Sequence, residues 1–198
     1  MENIADKKKA IFESTLCLIR EHGFHGAPMS LIAKNACVAA GTIYHYFNSK
    51  DQLINEMYVY NKSKIIHVVK EALAEDNAFK DKFFKIWMSL YGFYTGHPNV
   101  LIFFEQYINS PYNQEKKPDV LQERPLHDFF ADGIDSGLMK PTKLDILLVL
   151  FAGSVSAAAK LHSFGHINLN QADLINIIEI LWDGIATTPT EENKISLK

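Results

Sequence analysis

Apolar residues recur along this chain at three- and four-residue intervals, and they do so over almost its whole length. No segment alternates apolar and polar residues as a half-buried strand does, and no β-branched run lies between turn signals. The pattern predicts an all-α protein of about nine helices. The first spans Asp6–His22, with Phe12, Leu16 and Ile19 on its inward stripe, and Gly23 stops it. Pro28 opens a short helix that ends near Ala36, as proline does at a first helical position. A break at Cys37–Val38 leads to a second short helix, Ala39–Phe47. Ser49 is placed to cap a long fourth helix that runs from Lys50 to about Glu75. Helices over Phe79–Thr95 and Asn99–Asn109 are separated by Gly96 and Pro98, and Pro111 ends the second. The polar, proline-bearing stretch Ser110–Pro118 reads as an exposed loop. Pro125–Ser136, Thr142–Phe164 and Gln171–Ala186 complete the set, and the polar tail 188–198 reads as flexible.

Two short helices joined by a tight break, with a supporting helix before and a long one after, make a helix-turn-helix inside a small bundle. Ile32, Ala36, Val38, Ile43 and Phe47 fall at spacings that bury one side of each short helix. On the second, Ala40, Gly41, Tyr44 and His45 share the opposite face. Gly41 admits close approach of the backbone to DNA. Thr42, Tyr44, His45 and Tyr46 offer hydroxyl and imidazole groups to phosphates or base edges. Lys50 adds positive charge beside a helix N-terminus. Tyr44, His45 and Tyr46 have a second reading as a packed aromatic cluster. Lys7-Lys8-Lys9 is either a solvated helix start or an arm near the DNA backbone.

Charge sharpens this. The net charge of -3 argues against a surface that coats nucleic acid, but it is unevenly spread: residues 1–50 carry six Lys/Arg against four Asp/Glu, the remainder fourteen against nineteen. A mildly basic head on an acidic body suits local phosphate contact. The two cysteines, Cys17 and Cys37, lack CxxC spacing and read as small buried hydrophobes in a reduced, cytoplasmic protein. The longest apolar run, Ile146–Val155, is shorter than the ~18 residues of a membrane span, and Met1–Lys9 is too charged for a signal core. No nucleophile elbow, P-loop, dinucleotide or zincin motif appears, so neither enzyme nor cofactor is expected. His162 and His166 have metal-ligand spacing. Gly165 interrupts the helix between them, however, and no Cys or carboxylate motif accompanies them, so no metal is expected.

Gly23-Phe24, Ile32-Ala33, Val38 and the run from Gly41 to Leu53 (Gly-Thr-Ile-Tyr-His-Tyr-Phe-Asn-Ser-Lys-Asp-Gln-Leu) closely resemble the DNA-binding signature of the TetR (tetracycline-repressor) family over residues 6 to 55. The resemblance implies a three-helix helix-turn-helix head over 1–50 and a larger helical ligand-binding and dimerisation domain over 51–187. It implies a homodimeric, sequence-specific transcriptional regulator whose paired helices read a pseudo-palindromic operator on double-stranded DNA. A small effector in the larger domain would release such a repressor. By position, DNA contacts fall on Ala40, Gly41, Thr42, Tyr44, His45, Tyr46 and Lys50, with Ala27 and Ser30 on the preceding helix. The chain departs from the family's usual residues at Cys37 (commonly Gly), Ala39 (Ser), Ala40 (often Lys) and Ala27 (Thr). Cys37 is then expected at positive φ, at a cost of roughly 1–2 kcal/mol.

Beyond the head, Phe83, Phe84, Trp87, Tyr91, Phe93, Tyr94, Phe103, Phe104 and Tyr107 exceed what filling a helical bundle requires. They suggest a largely apolar or aromatic effector in a pocket lined by Trp87, Tyr91, Phe104, Tyr107, Phe130, Phe151 and His162. The alternative is a solid core in a regulator that takes its signal from a protein partner. Gly153, Ser154, Ser156 and Ala157 to Ala159 make one helix face small enough for close packing. That face packs closely either within the protomer or, with Leu174, Ile177, Ile178, Leu181 and Trp182 of the last helix, in a four-helix dimer interface centred on Gly153, Ser156, Ala157, Leu174, Ile178 and Trp182.

Overall fold

Helices begin and end close to the stop signals in the sequence. The computed structural model describes residues 4–114, 123–165 and 167–187. The tail 188–198, His166 and part of Ser110–Pro118 lie outside them. Among the described residues there are nine α-helices and no named strand. They are α1 Ile4–His22, α2 Met29–Asn35, α3 Ala40–Tyr46, α4 Lys50–Leu73, α5 Phe79–Gly96, α6 Pro98–Ile108, α7 Pro125–Asp135, α8 Leu144–Ser163 and α9 Gln171–Ile185.

Two boundaries differ from expectation. Pro28 is the cap of α2, not its first residue: its backbone is extended at φ -70, ψ 151, and its carbonyl accepts from Leu31 N and Ile32 N at 3.0 Å each. The ring fixes φ alone, and that value suits a cap as well as a first turn. Pro111 starts a 3-10 helix, Pro111–Gln114, where a loop was expected. Tyr107 Oη holds this turn by donating to the Tyr112 carbonyl at 3.0 Å.

Contacts divide the chain into two compact units, Met1–Lys64 with His97–Gln122 and Ile65–Gly96 with Glu123–Lys198. The border expected at residue 50 falls inside the first unit, which takes in most of α4 and all of α6. Its core is Ile11, Phe12, Leu16, Ile19, Ile32, Ile43, Phe47, Leu53 and Met57, all at or near zero exposure. Ser49 Oγ accepts from Gln52 N at 3.1 Å, and the Gln52 amide oxygen accepts from Asn48 N at 2.8 Å, which closes the start of α4 as its sequence suggested. α6 joins this unit through polar ties as well as packing. Gln106 Nε2 donates to the Ile19 carbonyl at 3.1 Å, and Phe24 lies against Phe103 and Tyr112 with centroids 6.0 and 5.1 Å away.

In the second unit α8 packs on α5, α7 and α9. Phe83, Phe130 and Phe151 meet edge to face at 5.0 to 6.2 Å. Gly133 is required where α7 passes this core, because a Cβ there would stand 2.6 Å from the Phe79 ring and 3.0 Å from Met139 Sδ. A Met139–Ala186 bridge, with Lys140 N donating to the Ile185 carbonyl at 2.8 Å, ties the end of α9 to the α7–α8 link.

Two sequence readings need correction. Cys17 and Cys37 are both exposed, because each falls on the outer side of its local structure. α8 is, by length and composition, apolar enough to cross a membrane, with an 18-residue window of mean hydropathy 1.8. The apolar run does not stop at Val155. The alanines beyond it extend an apolar helix, and Leu147, Phe151, Val155, Ala158 and Ala159 bury one side of it against protein.

Candidate DNA-binding head and effector site

The turn between α2 and α3 decides whether α3 stands clear of the bundle. Cys37 adopts φ 54. Its N–H donates to the Lys34 carbonyl at 3.1 Å, and Val38 N donates to the Ala33 carbonyl at 3.0 Å. Those paired bonds are the glycine-type helix ending, here made by a residue with a Cβ. The expected positive φ is therefore present. Ala39, extended at φ -63, ψ 147, caps α3 with no side-chain bond.

Ile43 and Phe47 are fully buried, and Phe47 meets the Phe12 ring at 5.7 Å. On the other side Tyr44 is 54% exposed, and Ala40, Gly41 and His45 are exposed too. A Cβ on Gly41 would meet nothing within 4 Å. Thr42 and Tyr46 are half-buried, and Tyr46 lies between His45 at 5.7 Å and Phe47 at 6.3 Å. Tyr46 thus belongs partly to a packed cluster, while Tyr44 and His45 stand out from it.

The preceding residues divide. Ser30 is exposed on α2, but Ala27 is 0% exposed, so its methyl fills the head's own core and offers nothing to DNA. Lys50 is half-buried, and its ammonium donates to the Phe24 carbonyl, where burial lowers its pKa. It ties the start of α4 to the α1–α2 corner. Lys8 is likewise engaged, 2.6 Å from Glu56 Oε2 and over the Phe12 and Phe47 rings, at the half-exposed edge of the head's core.

The proposed effector residues fall in both units. Trp87, Tyr91, Phe130, Phe151 and His162 lie in the second, Phe104 and Tyr107 in the first. In the second, Phe130 and Phe151 are fully buried in the edge-to-face cluster with Phe83. Trp87 donates from Nε1 to Ser154 Oγ at 2.9 Å and stacks on Tyr91, with centroids 5.6 Å apart and 12° between planes. Tyr91 meets the exposed His162 ring at 5.9 Å. In the first unit Tyr58, which the sequence reading passed over, stacks on Tyr107 at 4.6 Å and meets Phe104 edge-on at 5.6 Å. Tyr58 lies on α4 one turn from Asn61, whose fully buried Oδ1 has no partner. An asparagine at an apolar helical position was the available signal.

The outward side of α8 and α9 is apolar. Ile146, Val149, Leu150, Gly153 and Ala157 follow helical spacing along α8 and are exposed, Val149 at 70%. Ile180 on α9 is 67% exposed, and a groove of about 400 Å³ lies between Leu150, Ser154, Ile177, Ile180, Leu181 and Gly184. Leu174 and Ile178 instead face the protomer's own core, because they sit on the side of α9 turned to α5 and α8. Trp182 is half-buried against Phe79 and Phe83, and Ser156 is half-buried. Of the six residues expected at an interface, only Gly153 and Ala157 lie on the exposed face.

Known proteins agree with this architecture. Residues 11–57 match the pattern described as bacterial regulatory proteins of the tetR family, and residues 78–186 match the tetracyclin repressor-like C-terminal domain. An uncharacterized HTH-type transcriptional regulator of Haemophilus influenzae is 27% identical over 91% of this chain and 96% of its own length. A TetR family transcription regulator from Marinobacter aquaeolei superposes with a TM-score of 0.84 at 20% identity, covering 93% of this chain and 97% of its own. The transcriptional regulator FadR of Bacillus subtilis, solved with stearoyl-CoA, superposes with a TM-score of 0.67 at 20% identity, over 89% and 98%. With the C-terminal pattern alone covering more than half of the chain, this protein belongs to the TetR family, as a helix-turn-helix transcriptional regulator and not an enzyme.

Proposed function

We propose that the chain is a cytoplasmic homodimeric repressor that leaves a pseudo-palindromic operator when a small, largely apolar effector binds. One observation carries the DNA-reading part: α3 is anchored by Ile43 and Phe47 while Ala40, Gly41, Tyr44 and His45 form an exposed, small-to-aromatic face. Ser30 and the half-buried Thr42 and Tyr46 flank that face, and Lys50 would have to share its ammonium with the Phe24 carbonyl to reach a phosphate. A second copy is the natural cover for the α8–α9 groove, since paired recognition helices require a two-fold axis.

The effector part rests on the Trp87–Tyr91–His162 end of the second unit. Phe83, Phe130 and Phe151 fill their own space. Tyr91, nearly buried, instead leads to the exposed ring of His162. FadR's stearoyl-CoA makes acyl thioesters reasonable members of a screen alongside phenols and cationic dyes.

The test is affinity for the DNA flanking the protein's own coding region and for random DNA, each at two salt concentrations. Loss of a base-edge contact in Tyr44→Phe or His45→Ala lowers operator affinity by a factor worth ~1–3 kcal/mol and spares random DNA. Loss of a phosphate contact weakens both DNAs and flattens the salt slope. If both variants bind like the parent in all four conditions, α3 does not meet DNA through this face.

A further inference from the structure

Tyr91 is only 8% exposed, and its hydroxyl is buried without a hydrogen-bond partner. Ser163, next in the chain to His162, has a second buried hydroxyl in the same condition. Other polar groups nearby are satisfied: Trp87 Nε1 donates to Ser154 Oγ, Ser154 Oγ donates to the Phe151 carbonyl, and Thr95 Oγ1 donates to the Tyr91 carbonyl at 3.0 Å. A buried hydroxyl left unmatched is costly, and among the described residues of this unit Tyr91 and Ser163 carry the buried side-chain oxygens without a partner. Trp87 lies parallel to the Tyr91 ring and His162 crosses it edge-on, so the phenol is held at one angle by two aromatic neighbours.

We propose that Tyr91 is the polar anchor of the effector site, donating its hydroxyl to a neutral carbonyl oxygen on a ligand whose flat apolar body enters from the side of the exposed His162 ring. This rests on the effector site proposed above and names the ligand chemistry that site selects. Burial raises the Tyr91 pKa, so the phenol keeps its proton and acts as donor. A carboxylate is disfavoured because desolvating a full charge against Trp87 costs more than burying a neutral carbonyl.

A matched pair of probes tests this by calorimetry: 2-acetylnaphthalene, which has the carbonyl, and 2-isopropenylnaphthalene, which has the same shape without the acceptor. The parent protein should bind the ketone roughly tenfold more tightly than the alkene. Tyr91→Phe should bring the ketone down to the alkene's affinity and leave the alkene unchanged. Because the lost oxygen has no protein partner, the variant's melting temperature should stay level or rise, which separates lost anchoring from misfolding. Equal binding of both probes by the parent, or a preference that survives in Tyr91→Phe, overturns the anchor and leaves the effector site standing. Failure of both probes, and of the wider acyl, phenol and dye screen, overturns the effector site and the anchor with it.

Discussion

Cys37 shows what a single side chain costs in this head. It occupies a left-handed turn at φ 54 that the backbone needs to end α2 and start α3. Cys37→Gly removes the Cβ conflict but adds freedom to the unfolded chain, so the expected gain is about 1 kcal/mol or less. Denaturant melts would show it as a higher midpoint with unchanged slope. Phe47 is the opposite case. It is fully buried against Phe12, and Phe47→Ala should destabilise the head by roughly 3–5 kcal/mol through the cavity left behind. Tyr44→Phe and His45→Ala, on the exposed face, should shift the same melts by no more than ~0.5 kcal/mol. A large loss in either would mean that the outer face of α3 is structural.

At the scale of elements, two glycines make opposite predictions. Gly133 on α7 has no room for a Cβ between Phe79 and Met139, so Gly133→Ala should cost about 1–3 kcal/mol by overpacking. Gly41 on α3 faces open space, so Gly41→Ala should stabilise its helix by up to roughly 0.5–1 kcal/mol. The same change should weaken operator binding if the backbone approaches DNA there. Melting and DNA titration of the two variants side by side should show opposite signs in stability, and only Gly41→Ala should carry a selective DNA defect. Caps differ just as plainly. α9 opens with a reciprocal box, Asp173 N to Asn170 Oδ1 at 3.1 Å and Asn170 N to Asp173 Oδ2 at 2.9 Å. α3 opens on Ala39 with none. Ala39→Ser should therefore add about 1 kcal/mol and Asn170→Ala remove a similar amount, read from the same melts.

For the whole molecule, the exposed apolar side of α8 and α9 is the feature with the largest consequence. Val149, at 70% exposure, sits on it with Leu150 and Gly153, and Ile180 flanks the groove. Val149→Glu places like charges where two copies would meet and buries nothing within the protomer. Sedimentation velocity at micromolar concentration should then show monomers with an unchanged helical spectrum. Persistent dimers would move the interface elsewhere. Operator affinity should fall together with dimerisation, because a monomer holds only one half-site.

The nine helices among the described residues, their order and the anchored α3 were legible from periodicity and from the Gly41–Leu53 run, because local spacing sets which side of a short helix is apolar. Cys37's left-handed turn was legible too, from the resemblance, because the family commonly has Gly at that position. Direction among residues of similar chemistry was not. Leu174 and Ile178 share an apolar helix with Ile175 and Ile180, yet the first pair fills the protomer core and the second faces outward. A helix that is apolar most of the way round carries no signal for which side its neighbour covers. Ala27 looked like an interface residue from its position, while burial to 0% made it core. Lys50 looked like a free cation, and only the fold brings the Phe24 carbonyl, 26 residues away in sequence, within its reach. Sequence spacing determined the helices and their apolar stripes. Packing between distant segments decided which stripe stayed exposed, which lysine was tied down and which hydroxyl remained unmatched, because burial depends on neighbours that no local pattern names.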